Sequence, residues 1–234
     1  MTDVRLLEKV GRKIIVSGHY GSGKTEFSVS LAMIIAAKST ERTAIIDLDI
    51  VNPYFRSRER RDILEDNGIA VYGSLYKEEI TAEMPALGAN VRAPLEDTGC
   101  RVIIDSGGND SGAIVLNQFK RYFTDDDTTM LMVVNANRPD TRDAAGVLEH
   151  INAIESITGL SVSGLVNNCH LLRETTADMV RKGHELCKKV CEITGKVLYY
   201  DCYPAQIITP EELAGLSDSL MPIGLYMRPT WLDK

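Results

Sequence analysis

The chain has 234 residues, of which 44% are hydrophobic and 25% are charged, which is typical of a globular protein with one sizeable core. Its 26 basic and 33 acidic residues give a net charge of −7, which argues against a broad surface for nucleic acid or anionic membranes. The charged start MTDVRLLEKVGRK is unlike a secretory signal, no apolar run reaches the ~18 residues of a membrane span, and the five scattered cysteines are typical of reduced thiols, so the sequence predicts a cytoplasmic protein.

Short apolar runs alternate with amphipathic stretches along the whole chain. The runs predict strands at 13–18, 43–49, 69–73, 101–107, 129–135, 160–168 and 196–201. They lack polar alternation, which is typical of parallel strands covered on both faces. Apolar residues spaced by three and four predict helices in 142–158 and 173–193, with Pro139 at a helix start. The pattern predicts one α/β domain over 1–234, a three-layer, doubly wound, mostly parallel sheet with its ligand site at the carboxyl ends of the strands.

The first predicted strand runs into a glycine-rich loop that matches the phosphate-binding pattern GxxxxGK[ST] at Gly18, Gly23, Lys24 and Thr25. Glycine lets the backbone approach a polyphosphate, whose charge is stabilised by inward N–H groups and by the N-terminus of the next helix. Lys24 is expected to reach the β- and γ-phosphates, and the Thr25 hydroxyl to bind Mg²⁺. The residues expected to bind nucleotide here are Gly18, His19, Tyr20, Gly21, Ser22, Gly23, Lys24, Thr25 and Glu26.

Two later strands end in aspartates, which brings carboxylates to the predicted site. AIIDLD ends in Asp47 and Asp49, and CRVIID ends in Asp105. Carboxylate oxygens suit Mg²⁺, so the expected metal ligands are Thr25, Asp49 and Asp105. Gly108 follows Asp105 and is expected to offer its N–H group to a γ-phosphate, in a segment that senses hydrolysis. For either aspartate alone, a helix N-cap or a turn is the alternative.

These segments resemble the P-loop nucleotidases that include MinD, ParA, the nitrogenase iron protein and the CobQ/CobB-type synthetases. SGHYGSGKT resembles their phosphate loop, IIDLDIVNPYF and VIIDSGG their two acidic strands, and GLVNN their base-reading strand. The resemblance implies ATP and Mg²⁺ as ligands, with Lys24 and Asp49 catalytic. It also implies that Asp49 positions the attacking water and that Asn168, beside Asn167, reads the base. The guanine-reading NKxD pattern is absent from the sequence, which favours ATP over GTP.

The resemblance departs at the second position of the loop. MinD and ParA-like members carry a signature lysine there, which reaches the nucleotide of a partner subunit in a homodimer; this chain has His19, followed by Tyr20. A protonated His19 near polyphosphate is one reading, and packing within the subunit is the other. The homodimer is therefore left open.

Two further segments each allow two interpretations. Residues 74–99 contain Pro85 and Pro94 and predict a short helix with irregular flanks, a lid or a partner surface. The arginines past Asp49 are either a surface for an acidic partner or anionic substrate, or a solvated helix face. They are Arg56, Arg58, Arg60 and Arg61.

The leading hypothesis is a Mg²⁺-dependent ATPase that acts as a conformational switch on an unknown protein partner. By resemblance alone, that partner belongs to the maturation of a metallocluster or corrinoid enzyme. The alternatives are a small-molecule kinase or ATP-dependent synthetase, and a nucleotide-binding adaptor with little hydrolysis. Neither nucleic acid nor membrane is expected as a partner.

Overall fold

A computed structural model of the protein describes residues 10–49, 60–73, 85–108, 110–124, 126–216 and 220–227. Within these ranges the strands form one sheet in the order β3-β2-β4-β1-β5-β6-β7-β8, and every neighbouring pair is parallel. The strands are β1 Lys13–Ser17, β2 Arg42–Asp47, β3 Ile69–Gly73, β4 Cys100–Asp105, β5 Thr128–Val134, β6 Gly164–Asn167, β7 Val197–Pro204 and β8 Leu220–Ile223. The predicted α/β, parallel-sheet fold is confirmed.

Helices cover both faces of the sheet and create two apolar cores. The described α-helices are α1 Lys24–Lys38, α2 Arg61–Asp66, α3 Pro85–Glu96, α4 Asp110–Asn117, α5 Ala144–Thr158 and α6 Ala177–Thr194. α1 and α2 pack on one face, and α3 to α6 on the other. Alternate side chains of β1 divide between the cores: Ile14 and Val16 face α1, and Ile15 faces the opposite layer. All three are fully buried, which stabilises the fold by about 1.5–3 kcal/mol for each side chain.

The carboxyl end of β1 lies at the point where the strand order reverses. β1 is bordered by β4 and β5; β2 and β3 lie on the β4 side, and β6 to β8 extend the sheet on the β5 side. Loops that leave neighbouring strands in opposite directions open a crevice there. This topology places the glycine-rich loop, which follows β1, at the predicted ligand edge.

Local capping sets the ends of the two most regular helices. The Asp143 carboxylate accepts from the Gly146 N–H over 3.0 Å, so α5 begins at Ala144, and Gly159 ends it with a φ of 59°. Pro139, predicted as a helix start, begins a separate 3-10 turn at Pro139–Thr141. The N-cap of α6 is Thr176, which accepts from the N–H of Met179.

The regions with two interpretations are partly described. The helix predicted within 74–99 is α3, and residues 74–84 lie outside the described residues. Arg56 and Arg58 also lie outside them, whereas Arg61 pairs with Glu65 one turn along α2 over 2.9 Å, which fits a solvated helix face. None of the described helices combines the length and the apolar character that crossing a bilayer requires.

Candidate functional site

The loop between β1 and α1 is shaped by glycines at positions where a side chain does not fit. The α-carbon of Gly18, with φ of 145°, lies against the carbonyl group of Val133 and leaves no room for a Cβ. Gly23 precedes α1 with φ of 84° and ψ of 25°, and no side chain caps the helix. An uncapped N-terminus keeps its positive end for a ligand, which suits an anion.

Lys24 and Asp105 are buried together at this end of the sheet. The two residues are 6% and 1% exposed. Burial lowers the pKa of Lys24, while Asp105 and then Asp49 act to raise it. Burial, and next the carboxylate of Asp47, raise the pKa of Asp105 to about 7, against the opposing effects of Lys24 and a hydrogen bond with Thr25. Because these groups are buried, their electrostatic interactions with one another and with a charged ligand are only weakly screened.

The two predicted aspartate clusters meet. Asp47 and Asp105 stand side by side in the register of β2 and β4, and the backbone N–H of Asp49 donates to Oδ1 of Asp47 over 3.1 Å. Asp49 is 5% exposed. The Ser28 hydroxyl of α1 donates to Oδ1 of Asp105 over 3.2 Å and joins the P-loop helix to β4. Proximity of the strand ends, which the sequence predicts, is therefore observed.

The residues at this point fit a nucleotide-bound Mg²⁺ rather than a metal held by protein alone. Among the described residues, no group of three His, Cys, Asp or Glu side chains is arranged to hold a metal ion. Mg²⁺ commonly takes one or two protein ligands and fills its shell with phosphate oxygens and water. Oδ2 of Asp105 is buried without a hydrogen-bond partner, as is Oγ of Ser22. Unpaired buried polar atoms are rare, and a hydrogen-bonding ligand or water at this point would satisfy them.

Gly108 packs against the loop beside Lys24, Tyr20 and Gly18, at a place where a side chain would not fit. A Cβ at Gly108 would lie 2.5 Å from Nζ of Lys24 and 2.9 Å from the backbone nitrogen of Tyr20. Ser106 fixes this segment because its N–H and its hydroxyl both donate to the carbonyl oxygen of Val16, over 3.1 and 2.9 Å. Gly108 therefore lies beside the loop and close to the lysine. Its expected hydrogen bond to a γ-phosphate stays a prediction.

Asn168 lies against the other side of the loop. Its Nδ2 donates to the carbonyl oxygen of Ser22 over 2.9 Å and, more weakly, to that of Gly23 over 3.4 Å. Its Oδ1 is buried without a partner. Asn167 points elsewhere, donating to Oδ1 of Asp201 over 2.8 Å. Of the two asparagines, only Asn168 contacts the loop.

Two residues that the sequence analysis did not single out also contact the loop. Nε of Arg138 donates to the carbonyl oxygen of Gly21 over 2.8 Å. His170 is 9% exposed, and its Nε2 would lie 2.9 Å from a Cβ at Gly23. Burial, with Arg138 as the second cause, lowers the pKa of His170 to about 4, so the imidazole is neutral. In the sequence, the feature that could have pointed to Arg138 or His170 as a site residue was its position shortly after a predicted strand.

His19 and Tyr20 differ in their surroundings. Nε2 of His19 lies 3.4 Å from Oδ2 of Asp140, and its ring meets that of His150 edge-on at 5.4 Å between centroids. Both contacts are made within the chain. Tyr20, by contrast, is 60% exposed at the surface of the loop.

Glu26, assigned to nucleotide binding with the loop, uses its carboxylate within the fold. The carboxylate accepts from the N–H groups of Tyr226 and Met227, over 2.5 and 3.0 Å. Burial raises the pKa of Glu26 to about 7, while these two hydrogen bonds and Arg60 oppose that rise. The segment after β8 is thereby attached to the first turn of α1.

Solved structures share this fold, although no protein-family model matches the chain. The cell division protein FtsY of Thermotoga maritima has 18% identity and a TM-score of 0.53, with 80% of this chain and 59% of that chain covered. FtsY of Mycoplasma mycoides has 14% identity and a TM-score of 0.54, with 80% and 57% covered. The 54 kDa signal recognition particle protein of Aeropyrum pernix K1, in complex with GDP, has 19% identity and a TM-score of 0.51, with 80% and 40% covered. The chain spans less than two thirds of each of these proteins, and the likeness establishes the α/β P-loop NTPase fold.

Proposed function

We propose that this protein is a Mg²⁺-dependent nucleoside triphosphatase that binds ATP and acts as a conformational switch on a protein partner. One observation carries the proposal. Lys24 of the glycine-rich loop is buried together with Asp105, the last residue of β4, and Asp49, which lies two residues past the neighbouring strand β2. Phosphoryl transfer depends mainly on positioning and on electrostatic stabilisation, and these groups supply both.

The charge of the site supports a metal–nucleotide complex over a free nucleotide. The carboxyl groups of Asp105 and Asp49 act on the ammonium group of Lys24, Asp47 lies beside Asp105, and all four residues are buried. A triphosphate alone would meet this negative charge at close range in a poorly screened environment. Bound Mg²⁺ supplies charge neutralisation at the phosphate oxygens, and Thr25, Asp49 and Asp105 are the residues that would hold it.

Lys24, Asp49 and Gly108 have separate roles in the proposed reaction. Lys24, whose Nζ lies 3.2 Å from the carbonyl oxygen of His19, exchanges this contact for the β- and γ-phosphates. Asp49 orients the attacking water. The Gly108 N–H binds the γ-phosphate. When hydrolysis removes the γ-phosphate, the segment that begins at Gly108 is released.

We assign adenine to the base through Asn168, which the resemblance implies as the base reader and whose Nδ2 holds it against the loop. The absence of NKxD from the sequence agrees with this assignment. The GDP bound by the Aeropyrum pernix protein makes guanine the competing choice. Displacement of a labelled ATP analogue by unlabelled ATP and by GTP decides between the bases: adenine is excluded if GTP competes more strongly.

The identity of the protein partner rests on the resemblance alone, and maturation of a metallocluster or corrinoid enzyme stays a prediction from it. For His19, the contacts with Asp140 and His150 of the same chain support packing within the subunit. We therefore propose that dimer formation, if it accompanies turnover, does not need His19 as a cross-subunit group.

Turnover of Mg·ATP by the purified protein tests the proposal. Steady phosphate release without an added acceptor is expected, and Lys24→Ala and Asp49→Ala each lower it at least ~100-fold because each removes transition-state stabilisation. Lys38→Ala is the matched control, since Lys38 lies in the last turn of the same helix. Wild-type nucleotide binding and turnover in both site variants would contradict the assignment. Phosphate release that depends on a metabolite would indicate a kinase or synthetase, and retained ATP without release an adaptor.

A further inference from the structure

Arg138 is held rigidly beside the phosphate loop by a turn that follows β5. The N–H of Arg138 donates to the carbonyl oxygen of Asn135 over 3.0 Å, and the Thr141 hydroxyl donates to the same oxygen over 2.9 Å. Asn135 is 1% exposed, and its Nδ2 donates to the carbonyl oxygen of His170 over 3.1 Å. One buried asparagine therefore fixes both the Arg138 turn and the segment that bears His170.

The guanidinium group of Arg138 lies flat over the loop. Besides the hydrogen bond from Nε to the carbonyl oxygen of Gly21, a Cβ built at Gly21 would lie 3.0 Å from Nε, 3.1 Å from Cζ and 3.4 Å from Nη2 of Arg138. Three similar distances show that one face of the planar group is turned toward the position that a Gly21 Cβ would occupy. Arg138 is exposed, and within the described part of the chain its two terminal nitrogens have no partner. A flat cation with free donors thus borders the site.

His170 extends the same wall toward α1. Nδ1 of His170 accepts from the N–H of Leu172 over 3.3 Å, so in the neutral imidazole the proton is on Nε2. That nitrogen points toward Gly23, beside the amide of Asn168. Arg138, His170 and Asn168 therefore face three successive loop positions, Gly21 to Gly23.

This wall meets the loop at Gly21 to Gly23, whereas Gly108, the residue proposed to bind the γ-phosphate, lies beside Gly18, Tyr20 and the ammonium group of Lys24. Lys24, Gly108 and Tyr20 converge on one side of the loop, with the carboxylates of β2 and β4 nearby. The described contact of the Arg138 side chain is with Gly21, and its charge acts on His170. What remains of a nucleotide outside the phosphate region is the nucleoside, whose base has a π face. Guanidinium groups stack on such faces, and a planar guanidinium does so in a way that an ammonium group does not.

We propose that Arg138 is a nucleoside-binding residue, whose guanidinium stacks on the purine base of the bound nucleoside triphosphate while His170 borders the same subsite. This inference rests on the proposed function, because it presumes nucleotide in the loop. Arg138, which lies outside the glycine-rich motif, would therefore contribute the part of the nucleotide affinity that depends on the base and not on the phosphates.

Calorimetry with Mg²⁺ present tests the assignment in four proteins: the wild type, Arg138→Ala, Arg138→Lys and Arg142→Ala. Arg142 is the matched control because it lies in the same loop region with its side chain 73% exposed. We expect Arg138→Ala to bind ATP about tenfold more weakly, through loss of stacking. Arg138→Lys should be similarly weak, and Arg142→Ala should match the wild type. Affinity for inorganic tripolyphosphate, which has no base, should change less than about twofold in every variant.

The outcomes separate the two proposals. If the wild type binds ATP and Arg138→Ala binds it equally well, the assignment of Arg138 is overturned and the proposed function stands. If Arg138→Lys restores full affinity, or if tripolyphosphate binding falls as much as ATP binding, Arg138 acts as a phosphate-directed charge and stacking is overturned. If the wild type binds neither ATP nor GTP, the proposed function fails, and this assignment fails with it. Thermal unfolding of each variant checks that the fold is intact.

Discussion

The ammonium group of Lys24 lies 3.2 Å from the carbonyl oxygen of His19, so the side chain folds back across its own loop. A Cβ at Gly108 would intrude on the same ammonium group. The lysine is therefore enclosed between the loop that carries it and the segment after β4. Small changes at either boundary should act on nucleotide binding through the position of this one side chain.

We predict that Gly108→Ala weakens binding of Mg·ATP about tenfold or more, because the new Cβ displaces Lys24 and contacts the backbone of Tyr20. Binding of Mg·ADP, which has no γ-phosphate for the Gly108 N–H, should fall less. Gly99→Ala is the control, since a Cβ there would meet first the mobile end of the Arg42 side chain, at 3.3 Å. If the affinities for Mg·ATP and Mg·ADP fell equally, a contact between Gly108 and the γ-phosphate would be contradicted.

Asp105→Asn should reduce the gain in ATP affinity that Mg²⁺ provides. In the wild type we expect affinity in excess Mg²⁺ to exceed that in a chelator, and the variant should lose about tenfold of this gain because a neutral amide binds Mg²⁺ poorly. Asp97→Asn tests the specificity of the effect, since Asp97 lies just before β4, at the opposite end of the strand, and pairs with Arg42. If Mg²⁺ increased the ATP affinity of Asp105→Asn as much as that of the wild type, Asp105 would not be a metal ligand.

Asp201→Ala should destabilise the fold by about 3 kcal/mol, because it removes a buried carboxylate that accepts from the buried amide of Asn167 and from the largely buried ring of His184. Oδ1 of Asp201 accepts from Nδ2 of Asn167, and Oδ2 from Nδ1 of His184, each over 2.8 Å. Urea denaturation measures the change. Asp178→Ala, which removes a carboxylate that is 76% exposed, should cost less than about 0.5 kcal/mol. Similar losses in the two variants would contradict a structural role for the buried pair.

Stability should depend on pH through His170. Because its folded pKa is lowered to about 4, the unfolded chain binds a proton more readily, so the stability that neutral His170 contributes is present above about pH 6.5 and lost as pH falls toward 4. Relative to His170→Gln, the wild type should lose about 3 kcal/mol across this range. The comparison cancels the carboxyl groups that titrate over the same interval. Parallel stability curves, or NMR titration of His170 near pH 6.5, would contradict the burial described above.

The sequence predicts the fold well because parallel strands leave a strong signal. β1 to β7 are mostly apolar and mostly buried, and each lies within a few residues of its predicted range. β8 was not predicted: Leu220–Ile223 is only four residues long and contains Pro222, which removes a backbone donor and has no periodic pattern to offset it. α4 was also not predicted, since its eight residues include a glycine and follow a glycine-rich loop.

The site was predictable where its residues share a motif or a strand end. The contact of Gly108 with Lys24 follows from the order of the strands, and so does the meeting of Asp47 with Asp105. Arg138 and His170 could not be found in this way. Their positions depend on the buried amide of Asn135, whose hydrogen bonds fix two loops that no periodicity describes.

The common direction of the described strands places the proposed nucleotide site at one end of the sheet and leaves the opposite end outside it. The segments that leave the carboxyl ends of β4, β5 and β6 all contact the glycine-rich turn, whereas the connections that enter the amino ends lie a full strand length away. A fluorophore or a short peptide grafted between Ser39 and Thr40 would therefore sit at that opposite end, between α1 and β2. A label at that place would report conformational changes without contacting the proposed nucleotide site.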